Sequence, residues 1–307
     1  MDLKSKKEMG CFAFVSFMRS IICEKRVENK IKTAQNYETT LKSFIKFHET
    51  KTELRVITSL SLRQYESWLK TRGVSMNTIS FYMRILRAVY NRAVYNRAVE
   101  EMIVVNQYPF KKVYTGIAKT NKRYVDEDVF LKLLNLDLHK RKSLIFARDI
   151  FLFSFYTRGM AFIDIAYLKR GNIINGYVCY NRHKTGQTLF IKIEPCISKI
   201  IRSYADNETK EGYLFPIIKG ENYQSALRLQ NLRLKKISEM LKLPQPLTSY
   251  VARHSWASIA KRKGIPTSII SEGMGHKNET ITQIYLASFE QSVIDNANAT
   301  LLKFIVK

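Results

Sequence analysis

The chain has 307 residues, enough for two domains, and 46% hydrophobic residues supply core material for each. Its 51 Lys and Arg against 26 Asp and Glu leave a formal charge of +25 and an isoelectric point near 9.9. That balance argues against a small-metabolite enzyme and suits a polyanion, whether DNA, RNA or an anionic membrane surface.

Near the N-terminus the apolar run CFAFVSFM ends at Arg19 and lacks a small-residue cleavage site, which argues against a signal peptide and for a cytoplasmic chain. From there the text reads as helices. TAQNYETTLKSFIKF places Ala34, Tyr37, Leu41, Phe44 and Ile45 on one face behind a Thr33 cap. SLRQYESWLKTRG forms a second helix with Trp68 and Leu69 on its apolar side and Gly73 at its end. A further helix starts near Ser75 and carries the tandem RAVYNRAVYN of residues 87–96. A five-residue unit advances a helix by roughly 500°, so the second copy points about 140° away from the first and cannot share its face. A bulge or a longer continuous helix would absorb it. Residues 1–108 are thus expected to form a basic helical domain.

Periodicity is lost in NQYPFKKVYTGIAKTNK, where Pro109, Gly116 and several lysines predict a basic linker over residues 109–122. A second domain is expected over 123–307. It opens with VDEDVFLKLL, whose acidic first turn suits the helix dipole. The stretch 143–168 is strongly apolar, but Arg148, Asp149, Arg158 and Asp164 would each cost a few kcal/mol or more in a bilayer, so it reads as a buried helix. NIINGYVCYNRHKTGQTLFIKI contains Asn175-Gly176, a type I′ signal, and a second turn at Thr185-Gly186. Three short strands should form a meander with Lys184 at a hairpin tip. In LTSYVARHSWASIAKRKG, Thr248 or Ser249 caps a helix, Lys261, Arg262 and Lys263 fill its last turn, and Gly264 ends it. Cysteines 11, 23, 179 and 196 show no paired spacing, and Cys179 with His183 makes at most two ligands. Neither a disulfide framework nor a zinc site is expected, and the thiols should be reduced and mostly buried.

Among 17 tyrosines, Tyr285 in TQIYLASF would ordinarily be a half-buried packing residue. A tyrosine hydroxyl is only about 0.1% ionised at pH 7, so its attack on a phosphodiester requires proton acceptors and cations nearby. Arginine serves best, because its planar fork binds two oxygens and never deprotonates, and a lysine can protonate the leaving 5′-oxygen without a metal.

The stretch TSYVARHSWASIAKRKGIPTSIISEGMGHKNETITQIYLASF holds an R-H-S motif, a G-H motif and a tyrosine nine residues after the histidine, in the order and spacing of the tyrosine recombinase (phage integrase) family. The C-terminal two-thirds resembles that family's catalytic domain, and the first third resembles its helical core-binding (SAM-like) domain. The resemblance implies a mainly α fold with a small antiparallel β-meander. It also implies that Arg253 is the second catalytic arginine, His276 the motif histidine, Tyr285 the nucleophile and Lys184 the β-hairpin lysine. Two positions depart from the family pattern. Tyr250 stands where a histidine is usual, three residues before Arg253; its phenol can hydrogen-bond a phosphate oxygen but is a poor proton acceptor. Ala161 occupies the usual place of the first arginine, and Arg158, roughly one turn earlier, is the candidate to replace it unless it pairs with Asp164. TRGMAFIDIAYL is similar to the Bacteroidetes branch of these recombinases.

The resemblance implies a site-specific recombinase acting on double-stranded DNA through a 3′-phosphotyrosyl intermediate, with no cofactor, ATP or metal. It further implies a homotetramer on two paired sites, accessory DNA-bending proteins, a cytoplasmic, nucleoid-associated location and no membrane. EQSVIDNANATLLKFIVK reads as a C-terminal helix. The competing classes are a non-catalytic helix-turn-helix-like DNA-binding regulator built on ASIAKRKGIPTSIISEGMG and a type IB topoisomerase.

Overall fold

The computed structural model describes residues 13–48, 54–101, 108–118, 123–205, 212–218 and 223–276. The chain divides into two compact units, Met1–Thr120 and Asn121–Lys307.

Four helices build the first unit: α1 (Phe14–Val27), α2 (Ile31–Phe47), α3 (Ser59–Thr71) and α4 (Met76–Glu101). The apolar face read for α2 is present. Ala34, Leu41 and Phe44 are buried, and Tyr37 and Ile45 pack beside them. The helix nevertheless begins ahead of Thr33, with Lys30 at its N-cap and no side-chain cap. Asn29 adopts a left-handed conformation (φ 55°) that reverses the chain directly into the first turn, so Thr33 is already helical. Thr58 and Ser61 cap α3 reciprocally, at 3.1 and 3.0 Å. Leu69 lies in the core, and the Arg72 guanidinium covers the Trp68 ring at 4.8 Å.

The tandem pentapeptide is absorbed by an unbroken α4. Its two copies meet opposite environments: Tyr90 is 3% exposed and packs edge-on against Phe110, whereas Tyr95 is 71% exposed. The 140° phase step separates them, as helix geometry requires. Residues 108–118 form neither helix nor strand, yet they are not detached from this unit. Phe110 and Val113 enter its core, the Tyr114 N–H donates to Glu66 at 2.9 Å, and the Asn77 side chain bonds both backbone groups of Ala118.

The second unit contains α5 (Glu127–Asn135), α6 (Lys142–Tyr156), α7 (Phe162–Ala166), β1 (Ile173–Ile174), β2 (Tyr177–Asn181) and β3 (Thr188–Lys192). Then follow α8 (Pro195–Ser203), α9 (Tyr223–Met240), α10 (Ser249–Arg262) and α11 (Thr267–Gly273). Helix α6 is apolar on nearly every face because it is the central element, packed against α8, α9 and α10. The three strands pair antiparallel in the order β1-β2-β3. Asn175 and Gly176, with φ of 49° and 80°, make the type I′ turn between β1 and β2. Inward residues alternate along β2 (Val178, Tyr180) and β3 (Leu189, Ile191). Thr248 is the N-cap of α10 but contributes no side-chain bond.

The thiols depart from expectation: Cys23 and Cys196 are exposed and Cys179 is half-buried. Among the described residues no helix is long and apolar enough to cross a membrane, and no three His, Cys, Asp or Glu residues form a metal-binding group.

Candidate active site

Helix α6 stops at Thr157, and the next two residues are both left-handed, Arg158 at φ 59° and Gly159 at φ 72°. This reversal brings the Gly159 backbone against α10. A Cβ at residue 159 would lie 2.8 Å from the Arg253 Cα, so only glycine fits. The close approach lets Arg253, itself 3% exposed, donate from Nη1 to the Gly159 carbonyl at 2.7 Å.

The other end of the Arg253 fork reaches a different segment. Its Nη2 donates to the Met274 carbonyl at 2.7 Å and to His276 Nε2 at 2.9 Å. Because a guanidinium has no acceptor, Nε2 must accept, which places the proton of the neutral imidazole on Nδ1. His276 is 7% exposed, and its pKa is pushed down to about 3 by burial and by the charges of Arg253, Arg182 and Lys184. At pH 7 it is neutral.

Lys184 sits on the exposed tip of the β2–β3 hairpin, near enough to act on His276 electrostatically. The hairpin tip is pinned by Asp164 of α7, whose Oδ1 accepts the His183 N–H at 2.8 Å. Burial raises the Asp164 pKa against the opposing pull of that N–H and of Arg182 and Arg253. Asp164 is therefore spent on the hairpin, and among the described residues it makes no ion pair with Arg158. Arg158 is half-buried beside a groove of about 570 Å³ whose lining includes Leu189, Phe190, Trp256, Ile269 and Glu272. Its charge is felt by the Tyr180 phenol, which burial pushes above its ordinary pKa.

Tyr250 is 52% exposed and stands edge-on against His254, with ring centroids 4.6 Å apart. The remaining member of the R-H-S motif, Ser255, is fully buried and accepts the Val125 N–H at 2.9 Å, anchoring the start of the unit. Arg253, His276 and Lys184 thus converge, while Arg158 and Tyr250 flank them. Tyr285 lies outside the described residues.

The sequence reading missed Arg182. It is 6% exposed, and its Nη1 donates to the Gly275 carbonyl. The signal was strand parity: Val178, Tyr180 and Arg182 are two residues apart, so the arginine falls on the inward face.

Comparison with known proteins identifies the family and the fold. The family model described as "Phage integrase family" matches residues 123–292, and "Phage integrase SAM-like domain" matches residues 13–113. The chain is similar to tyrosine recombinase XerC of Rickettsia canadensis, 25% identical over 266 residues that span 82% of this chain and 85% of the relative. Among solved structures, the Tn1549 transposon integrase in complex with a circular intermediate DNA superposes with a TM-score of 0.71 at 15% identity, covering 95% of this chain and 99% of that one. A lambda integrase dimer bound to a COC′ core site gives a TM-score of 0.66 at 15% identity, over 90% and 98%. A lambda integrase tetramer bound to a Holliday junction gives 0.62 at 16% identity, over 84% and 72%.

Proposed function

The chain belongs to the phage integrase family, and from that premise we propose that Tyr285 is the nucleophile of a site-specific DNA recombinase whose remaining machinery is Arg158, Lys184, Tyr250, Arg253 and His276. The family's enzymes are tyrosine recombinases, which cleave and rejoin DNA. The observation that carries the residue assignment is the buried Arg253–His276 contact, which joins positions 23 residues apart in sequence.

The Tyr285 hydroxyl attacks the scissile phosphorus of double-stranded DNA and gives up its proton to solvent water, from which Lys184 is later reprotonated. A bond forms between phosphorus and the tyrosine oxygen as the bond to the 5′-oxygen breaks. The product is a 3′-phosphotyrosyl link and a free 5′-hydroxyl, whose oxygen takes its proton from Lys184. Arg253 and Arg158 bind the non-bridging oxygens, where charge accumulates in the transition state; removing one such preorganised donor typically costs ~10²- to 10³-fold in rate. His276, held neutral, orients the Arg253 fork. Tyr250, exposed on α10, donates its hydroxyl to a phosphate oxygen. The 5′-hydroxyl of one duplex then attacks the phosphotyrosine of its partner, so bond energy is conserved and neither ATP nor a metal is required.

Four protomers act on two paired sites, with accessory DNA-bending proteins, at the nucleoid; the lambda integrase tetramer bound to a Holliday junction supports the stoichiometry. With ~8 phosphate contacts the log-log salt dependence of affinity would have a slope near −7. The regulator reading is disfavoured because α11, which would be its second helix, spans only seven residues.

The test is sequencing of DNA junctions around the native locus in cells expressing wild type or Tyr285→Phe. Rearranged junctions in wild type alone are expected, and their arrangement separates inversion from excision and integration. Rearrangement with both proteins overturns the nucleophile assignment.

A further inference from the structure

We infer that Arg182 is a positioning residue that locks the β2–β3 hairpin, and with it Lys184, onto the loop that carries His276. The inference rests on the reading of Lys184 and His276 as parts of one site, but its evidence is independent of that reading.

The backbone of Arg182 closes the hairpin loop. Its N–H donates to the Gln187 carbonyl at 2.8 Å, and its own carbonyl accepts from the Thr185 and Gly186 N–H groups at 3.2 and 2.8 Å. Its side chain turns inward instead of following the lysine tip outward, and donates to the Gly275 carbonyl 93 residues away. Arg253 takes the adjacent carbonyl, that of Met274. Consecutive carbonyls immediately before His276 are therefore each held by a buried guanidinium, one from α10 and one from the hairpin. This double hold fixes the path of the backbone into the histidine.

Gly275 shows how tight the junction is. It has φ of 65°, and a Cβ there would meet the Leu189 Cδ1 at 3.0 Å and the Arg182 Cδ at 3.3 Å. The His183 N–H, bonded to Asp164, pins the other side of the same tip. Lys184 thus follows two consecutive anchored residues, and the Arg182 side chain hydrogen-bonds one of them to the histidine loop. Burying a guanidinium is costly unless its donors are used and a countercharge is near, and Asp164 supplies that charge.

Arg182 acts through Lys184 and His276, so its loss should impair proton delivery to the leaving oxygen more than phosphate binding. The experiment compares covalent adduct formation on suicide duplexes carrying the site mapped from the junctions. One version has the ordinary 5′-oxygen; the other has a 5′-bridging sulfur, a leaving group that needs no proton. Arg182→Met should slow cleavage of the oxygen substrate by ~100-fold or more, the scale of a general acid, but cleavage of the sulfur substrate only a few fold. DNA affinity should stay within a few fold of wild type. Arg182→Lys, which keeps a donor of shorter reach, should recover part of the loss on the oxygen substrate. If Arg182→Met fails to fold, the ratio of the two losses in Arg182→Lys decides the matter. Equal losses on both substrates, or no loss on either, overturn the inference. A Lys184→Ala control that sulfur does not rescue would instead overturn the assignment of Lys184 as the acid, leaving the two failures distinguishable.

Discussion

The two units bury charge in opposite ways. Among the described residues of the N-terminal unit the buried polar groups are Thr40, Glu66 and Ser80, and the one ionisable member is neutralised locally. Glu66 takes the Tyr114 N–H at 2.9 Å and the Lys70 ammonium at 2.6 Å. In the C-terminal unit Asp164, Arg182, Arg253 and His276 are all buried, with the exposed Lys184 acting on the same neighbourhood. That set holds one carboxylate against two guanidiniums, and its histidine cannot add a charge. A buried cluster with surplus cation is poor economy for a fold, because an uncompensated buried charge costs several kcal/mol. It is a good arrangement for receiving a phosphate. The N-terminal core neutralises its one buried charge, whereas the C-terminal core leaves a surplus of buried cation.

The sharpest way to break this comparison is Arg253→Ala. Two backbone carbonyls and His276 Nε2 would lose their donor at once. Cleavage should fall by at least ~100-fold and unfolding free energy by about 3 kcal/mol or more, read by denaturing-gel adduct assays and chemical denaturation. A small stability change would mean that the buried charge is not structural at all.

Arg158→Gly separates the two currencies. A non-glycine residue at φ 59° costs about 1–2 kcal/mol relative to glycine, so the variant should unfold later by about 1 kcal/mol while adduct formation is abolished and DNA affinity changes only a few fold. Retained cleavage would remove Arg158 from the site.

Tyr90→Ala and Tyr95→Ala probe the apolar unit with chemically identical truncations. The first should cost about 3 kcal/mol as a core cavity; the second should stay within about 0.5 kcal/mol. Comparable costs would show that the second copy is also packed.

The last effect concerns pH and is read as a slope. His276 has a folded pKa far below its ordinary 6.5, so below pH 6.5 the unfolded chain takes up a proton that the folded one refuses. Stability should decline as pH falls from 6.5 toward 3, by no more than about 1.4 kcal/mol per pH unit from this group. His276→Gln should flatten that slope in thermal scans; an unchanged slope would place the titration elsewhere.

Much of this was legible in the residues. The R-H-S and G-H spacing singled out Arg253 and His276, which the structure brings into contact, and Asn175-Gly176 fixed the meander because a type I′ turn needs two left-handed residues in succession. Arg182 escaped because charge ordinarily points outward, and that prior outweighed the strand parity that put it inside. Phe110 and Val113 escaped for a different reason. Residues that dock singly from an irregular segment leave no period to read, so loss of periodicity looked like a tether. The Thr33 cap failed because a left-handed Asn29 had already begun the helix.

The second copy of the α4 pentapeptide, which buries Ala93 but turns Tyr95 outward, also bears on inheritance. A tandem of identical five-residue units is a whole number of codons, so gain or loss of one copy preserves the reading frame. Because Tyr95 stands in solvent, the duplicated aromatic draws nothing from the core. Each added copy lengthens the helix by about 7.5 Å and turns whatever follows by about 140°. A change in copy number would shift the helical phase of everything after it in discrete steps, and because Ala93 of the second copy and Phe110 beyond it both lie in the core, the packing of the unit would have to shift with it.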